Sequence, residues 1–127
     1  MITGKILLID DDDDDQLIFK DALKEIHFIC DCLIANNGLE ALAILANETE
    51  NPAIIFLDLN MPLMNGVEFL IHIKKEKAFA DIPVVIFSTS NNPTDKAQML
   101  RLGAKLFITK TSNFKLLIDK LAELLIS

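Results

Sequence analysis

The stretch Lys5-Ile-Leu-Leu-Ile9, followed without a break by six aspartates from Asp10 to Asp15, decides how this chain folds. A short apolar run rich in branched side chains, with no polar alternation, reads as a strand covered on both faces. The abrupt change to acid marks the strand's carboxyl end. The same grammar returns three times: Ala53-Ile-Ile-Phe-Leu57 ends at Asp58, Pro83-Val-Val-Ile-Phe87 ends at Ser88, and Lys105-Leu-Phe-Ile-Thr109 ends at Lys110. Cys32 to Ala35 is a weaker strand lying second in order.

Between the strands the apolar spacing turns helical. Ile18, Phe19, Ala22, Leu23 and Ile26 follow the acid run, whose aspartates suit both an N-cap and the positive end of a helix dipole. Leu39, Leu42, Ala43 and Ala46 follow the Asn37-Gly38 turn, and Asn51-Pro52 breaks that helix. Gly66, Val67, Leu70 and Ile73 begin a third helix after the loop holding Pro62. Pro93 fits the first turn of a fourth and Gly103 its stop. A fifth, capped at Ser112, carries Phe114, Leu117, Ile118, Leu121, Leu124 and Leu125 along one face. Five strand–helix units with continuous apolar strands predict a doubly wound α/β domain, a parallel sheet with helices on both faces. Ligands in such folds bind beyond the carboxyl ends of the strands. Asp10, Asp11, Asp58, Ser88 and Lys110 all fall at that edge.

Composition excludes several classes. The 127 residues fit one domain. The net charge is −7, from 19 acids against 12 bases; without the six-aspartate run, 13 acids remain and the rest is nearly neutral. Nothing resembles the clustered Lys/Arg that nucleic acid binding needs. The longest apolar runs are about six residues, far below the roughly 20 that span a bilayer. The N-terminus leads straight into a strand, with no signal-peptide pattern, so a cytoplasmic location is expected. Cys30 and Cys32 cannot build a disulfide framework and read as reduced thiols; with His27 they would still lack a fourth metal ligand. His27 and His72 read as surface or boundary residues.

Carboxylates crowded at one edge repel, which raises a proton affinity or recruits a cation. Hard oxygen donors with room for water favour Mg²⁺. A lysine nearby is a compact positive charge for an incoming phosphoryl group, and a carboxylate is itself a phosphoryl acceptor. Phosphoryl transfer needs mainly positioning and charge neutralisation. The constellation suits phosphorylation of one aspartate.

The whole chain resembles the receiver domain of two-component response regulators, in the single-domain style of the bacterial chemotaxis regulator. The resemblance rests on ILLIDDD at 6–12, NNGLEAL at 36–42, FLDLNMP at 56–62, a hydroxyl residue after PVVIF at 83–87, and LFITK at 106–110. It implies a flavodoxin-like five-stranded sheet of order 2-1-3-4-5 with five helices. It further implies that Asp58 is the phosphoacceptor and Asp11 the principal Mg²⁺ carboxylate, with Asp10 adjacent and the backbone carbonyl of Asn60 a further ligand. Ser88 stands where the family has Thr or Ser, Lys110 where it has its phosphate-contacting lysine, and Phe107 at its switch aromatic, expected to turn inward from the surface on phosphorylation. The implied donor is a histidine kinase or phosphotransfer protein, and the implied output is a downstream effector protein. The fourth helix, fifth strand and fifth helix would form the partner face, a homodimer included. The chain is expected to be one receiver over residues 1–127 with no output domain, a signalling module whose chemistry is confined to its own phosphorylation and dephosphorylation. Two departures stand out. Thr111 follows the lysine where the family usually has proline, and the acid run continues to Asp15, with Asp13 to Asp15 read as helix-start and solvent residues.

Three rival functions fit the residues less well. A calcium loop fails, because its sixth position would be Asp15 rather than glycine and its twelfth Asp21 rather than glutamate. A haloacid-dehalogenase-type phosphatase expects a hydroxyl residue where Asp14 stands, and usually a cap and a longer chain. A degenerate receiver serving only as a binding module conflicts with Asp11, Asp58, Ser88 and Lys110 all being in place.

Overall fold

A computed structural model describes residues 4–28 and 30–126. Five strands alternate with five helices: β1 Ile6–Ile9, α1 Asp13–Glu25, β2 Cys32–Ala35, α2 Gly38–Asn47, β3 Ile54–Leu57, α3 Gly66–Lys75, β4 Val84–Ser88, α4 Pro93–Arg101, β5 Leu106–Thr109 and α5 Phe114–Leu125. The strands are parallel and lie in the order β2-β1-β3-β4-β5. This is the doubly wound arrangement expected from the sequence.

Because successive strand residues point to opposite faces, each continuous apolar strand feeds two cores. Leu7, Ile9, Ile55, Leu57, Val84 and Ile86 meet α2, α3 and α4 through Leu45, Phe69, Leu70, Ile73 and Met99. Ile6, Leu8, Ile54, Phe56, Val85 and Ile108 meet α1 and α5 through Phe19, Leu23, Leu121 and Leu125. Phe19 packs edge-on against Phe56, with centroids 4.9 Å apart, within the range of favourable aromatic pairs.

Local signals set the helix starts. Asp12 caps α1, its side chain accepting from the Asp14 and Asp15 N–H groups. Asn37 caps α2, and Asn65 forms a reciprocal capping box with Glu68 on α3. Pro93 opens α4 behind Asn92, and Gly103 closes it at φ +109°. The cap of α5 is Asn113, one residue beyond the expected Ser112; its carbonyl oxygen reaches the Leu116 N–H three residues on. Ile18, expected on the buried face of α1, is exposed. No helix among the described residues is long and apolar enough to cross a membrane.

Candidate functional site at the carboxyl edge of the sheet

Backbone hydrogen bonds at the strand ends pin Asp10, Asp58 and Lys110. The Asp10 N–H donates to Ala35 O at 3.0 Å, the Asp58 N–H to Ile9 O at 2.9 Å, and the Lys110 N–H to Ser88 O at 2.7 Å. The parallel ladder thus carries β1, β3 and β5 to one edge, with the functional side chain just past the last paired residue.

Asp10, Asp11 and Asp58 each bring a carboxylate oxygen within 4.8 Å of the others. Asp10 and Asp58 are buried, whereas Asp11 is exposed. Lys110 Nζ lies 2.7 Å from Asp10 Oδ2, 2.9 Å from Asp15 Oδ2 and 3.6 Å from Asp58 Oδ2. The ammonium also sits 5.3 Å from the centroid of the Phe87 ring. Ser88 is fully buried, and its Oγ accepts a long 3.4 Å hydrogen bond from the Ser90 N–H.

The electrostatics follow from this crowding. Burial pushes the Asp58 carboxyl above its ordinary range, and the Asp10 charge adds to the shift; Lys110 and the backbone N–H groups of Asn60 and Leu59 pull the other way. Burial also raises Asp10, against the pull of Lys110 and the Asp12 N–H. For Lys110, burial acts downward, but the hydrogen bonds to Asp10 and Asp15 together with the charges of Asp10 and Asp58 outweigh it and hold the proton more tightly than usual. The site therefore stores uncompensated negative charge, which a cation or the loss of a carboxylate charge would relieve.

The loop after β3 is fitted closely around Asp58. A Cβ on Gly66 would collide with the Asp58 carbonyl oxygen and lie 2.8 Å from Leu59 Cα, so only glycine lets α3 start here. Leu63 and Met64 take left-handed backbone, at φ 49° and 72°. That conformation is costly for side chains with a Cβ. Met64 O then accepts from the Gly38 N–H at 3.1 Å, which ties the loop to the start of α2.

The expected site residues Asp10, Asp11, Asp58, Ser88 and Lys110 all lie at this edge. Asn60 is exposed two residues past Asp58. Phe107 differs from expectation: its ring is already buried, 6% exposed, so it is not waiting at the surface. Asp15 differs too, because it binds Lys110 instead of facing only solvent. Gln16 was also missed; its amide donates to Asp10 O at 2.6 Å and to Asn36 Oδ1 at 2.9 Å. The available signal for Asp15 was the helix that begins within the acid run, whose first turn points successive aspartates in different directions. The peptide bond from Lys110 to Thr111 is trans, like every other among the described residues.

The family model "Response regulator receiver domain" matches residues 6–122. Response regulator Rcp1 of Synechocystis sp. is 34% identical over 115 residues, 87% of this chain and 78% of that protein. A chemotaxis protein CheY homolog of Campylobacter jejuni is 30% identical over 121 residues, 95% of this chain and 92% of its own length. Among solved structures, the Mn²⁺-bound form of Rcp1 superposes with a TM-score of 0.89 at 30% identity, over 98% of this chain and 96% of that one. The phosphorylated cyanobacterial phytochrome response regulator RcpA gives 0.85 at 32% identity, over 95% and 90%. With an edge of clustered carboxylates, a buried hydroxyl and a lysine on this fold, the chain belongs to the response regulator receiver domain family and is a receiver of two-component signalling.

Proposed function

We propose that Asp58 is the phosphoacceptor of this receiver, taking a phosphoryl group from a histidine kinase or phosphotransfer protein with Mg²⁺ bound. The observation that carries this reading is the Asp58 carboxylate itself, buried at the end of the central strand, 3.6 Å from Lys110 and clustered with Asp10 and Asp11. One Asp58 oxygen attacks phosphorus; the P–N bond of the phosphohistidine breaks, and its electron pair stays on the imidazole, which takes up a proton. Lys110 and the Ser88 hydroxyl are the groups that would meet the phosphoryl oxygens.

The donor set suits a divalent cation: three carboxylates supply hard oxygen ligands, one of them exposed, which leaves room for water. Asp10, Asp11 and Asp58 would hold the ion, with the Asn60 carbonyl as a further ligand. When bound, Mg²⁺ supplies the positive charge that this edge lacks. We propose Mg²⁺ as the ion and the cytoplasm as the setting.

Output is proposed to pass to an effector protein, or to a second copy of the chain, through α4, β5 and α5. Leu100, Leu106 and Leu116 are exposed on these elements, which supports that face. Phe107 lies on β5 between these elements, paired with Ile86 two residues before Ser88, so its place in the sheet adjoins the strand end that a phosphoryl group would engage.

Incubation with acetyl phosphate and Mg²⁺ should add one phosphate by intact mass. Asp58→Asn should abolish that addition. An unchanged mass shift in the variant would overturn the assignment, and label on the β1 aspartates would point to the phosphatase-type chemistry instead.

A further inference from the structure

The Lys110 ammonium has three N–H donors. Asp10 takes one at 2.7 Å and Asp15 another at 2.9 Å, while Asp58 at 3.6 Å lies beyond ordinary hydrogen-bond length. The contact with Asp15 is not a loose surface pair. The Lys110 side chain is 9% exposed, and Asp15 sits in the first turn of α1 with its own N–H donating to Asp12 Oδ1 at 3.0 Å. The cap therefore fixes the backbone that presents this carboxylate. Asp14 and Asp13, its neighbours in the run, are exposed and do not reach the lysine among the ion pairs of the described residues.

We infer that Asp15 is a positioning residue, which holds the Lys110 ammonium on the α1 side of the site and thereby weakens its grip on a phosphoryl group at Asp58. The inference rests on the reading of Asp58 as phosphoacceptor. A divalent cation among Asp10, Asp11 and Asp58 would share the Asp10 charge, which leaves Asp15 as the anion still competing for the lysine. A phosphoryl group brings a charge of about −1.5 to −2 and oxygens that extend beyond the carboxylate. The two anions then contend for one ammonium, and removing the Asp15 charge settles the contest in favour of Asp58. The sixth aspartate of the run thus tunes the affinity of the site for a phosphoryl group.

The test uses beryllofluoride as the phosphoryl mimic, at saturating Mn²⁺. The chain has no tryptophan or tyrosine, so affinity is read by calorimetry. Asp15→Asn should bind beryllofluoride about tenfold more tightly than the unaltered protein, equivalent to ~1.4 kcal/mol. Asp14→Asn removes the same charge from the same turn without touching Lys110, and should change affinity by no more than about threefold, the scale of an exposed charge. Asp15→Glu should return affinity toward that of the unaltered chain. In a Lys110→Met background, Asp15→Asn should have no further effect, because the two residues act as a coupled pair. Equal effects of Asp14→Asn and Asp15→Asn, or a gain that persists without Lys110, would reduce Asp15 to a general charge and overturn the inference. If Lys110→Met does not fold, the comparison of Asp14→Asn, Asp15→Asn and Asp15→Glu decides alone. Failure of the unaltered protein to bind beryllofluoride would refute the phosphoacceptor reading itself; binding that Asp15→Asn leaves unchanged refutes only the role of Asp15.

Discussion

Asp58→Asn should make the metal-free protein more stable at neutral pH while removing its proposed reaction. Asp58 has two carboxylate neighbours with oxygens within 4.8 Å and one ammonium at 3.6 Å. At an effective dielectric of ~20, unit charges about 5 Å apart interact by roughly 3 kcal/mol, and at 3.6 Å by roughly 4–5 kcal/mol. Asp11 is exposed and counts for less, so repulsion and the pull of Lys110 nearly cancel. What remains is the burial of a charge that Lys110, already committed to Asp10 and Asp15, does not fully offset. An amide of the same shape avoids that cost, and the expected gain is of order 1 kcal/mol, or roughly 3–6 °C in Tm for a chain of this size.

The pH dependence fixes the sign. Burial raises the Asp58 carboxyl in the folded state, so its contribution to stability is complete below the unfolded pKa of about 3.9 and is lost as pH climbs through the higher folded value. The advantage of Asn over Asp should thus shrink as pH falls toward 4 and grow as pH rises toward 7. Divalent metal reverses the order: at a concentration one hundred times its Kd, it stabilises the unaltered chain by about 2.7 kcal/mol, and a variant with one carboxylate fewer gains less. Thermal melts followed by far-UV circular dichroism, from pH 4 to 7.5 with chelator and again with Mg²⁺, read all three effects. An Asn variant less stable than the parent in chelator at pH 7, or an advantage independent of pH, would refute this account of the site.

Gly66→Ala should cost about 2 kcal/mol, because the overlap of its Cβ with Asp58 O and Leu59 Cα outweighs the ~1 kcal/mol that alanine brings to a helix. A neutral or stabilised variant in denaturant titration would show that α3 can shift freely from β3. Ser88→Ala should leave folding within about 1 kcal/mol, since the hydroxyl's hydrogen bond among the described residues is a long one, yet it should slow acquisition of phosphate measured by intact mass. Burial pushes the Cys32 thiol up to about 11, so its alkylation at pH 8 should run roughly 10²-fold slower than that of an ordinary thiol; equal rates in native and denatured protein would contradict its placement on β2.

The strands and their ends were legible because each is an unbroken apolar run stopped by a residue of opposite character. Leu57 to Asp58 and Phe87 to Ser88 change hydropathy within a single step, and in a parallel sheet that step coincides with the functional edge. Ligand-competent residues could then be found without knowing any side-chain position. Asp15 was less legible because six identical residues carry no internal contrast; only the helical turn that starts at Asp13 distinguishes the one facing Lys110 from those facing solvent. Phe107 was expected at the surface from its place in a motif, yet β5 pairs with β4, and the alternation that directs Val84 and Ile86 to the α2–α4 side carries this ring into the same core. The α5 cap moved from Ser112 to Asn113 for a similar reason: both residues can cap, and the choice between them depends on where the helix lands against the sheet.

The pinned strand ends explain why the charge conflict persists. Three backbone hydrogen bonds, from Asp10 to Ala35, Asp58 to Ile9 and Lys110 to Ser88, fix the Cα positions from which the charged side chains extend. Behind them, Ile6 to Ile9 and Ile54 to Leu57 are almost wholly buried, so sliding a strand to relieve repulsion would disrupt both cores. The fold can therefore hold Asp58 close to Asp10 and Asp11 although the arrangement is unfavourable without a cation. The Lys110 ammonium, on a flexible four-carbon stem, stands 2.9 Å from Asp15 and 3.6 Å from Asp58. The rigid part of the site thus creates the demand for positive charge, and the flexible part determines how that demand is shared.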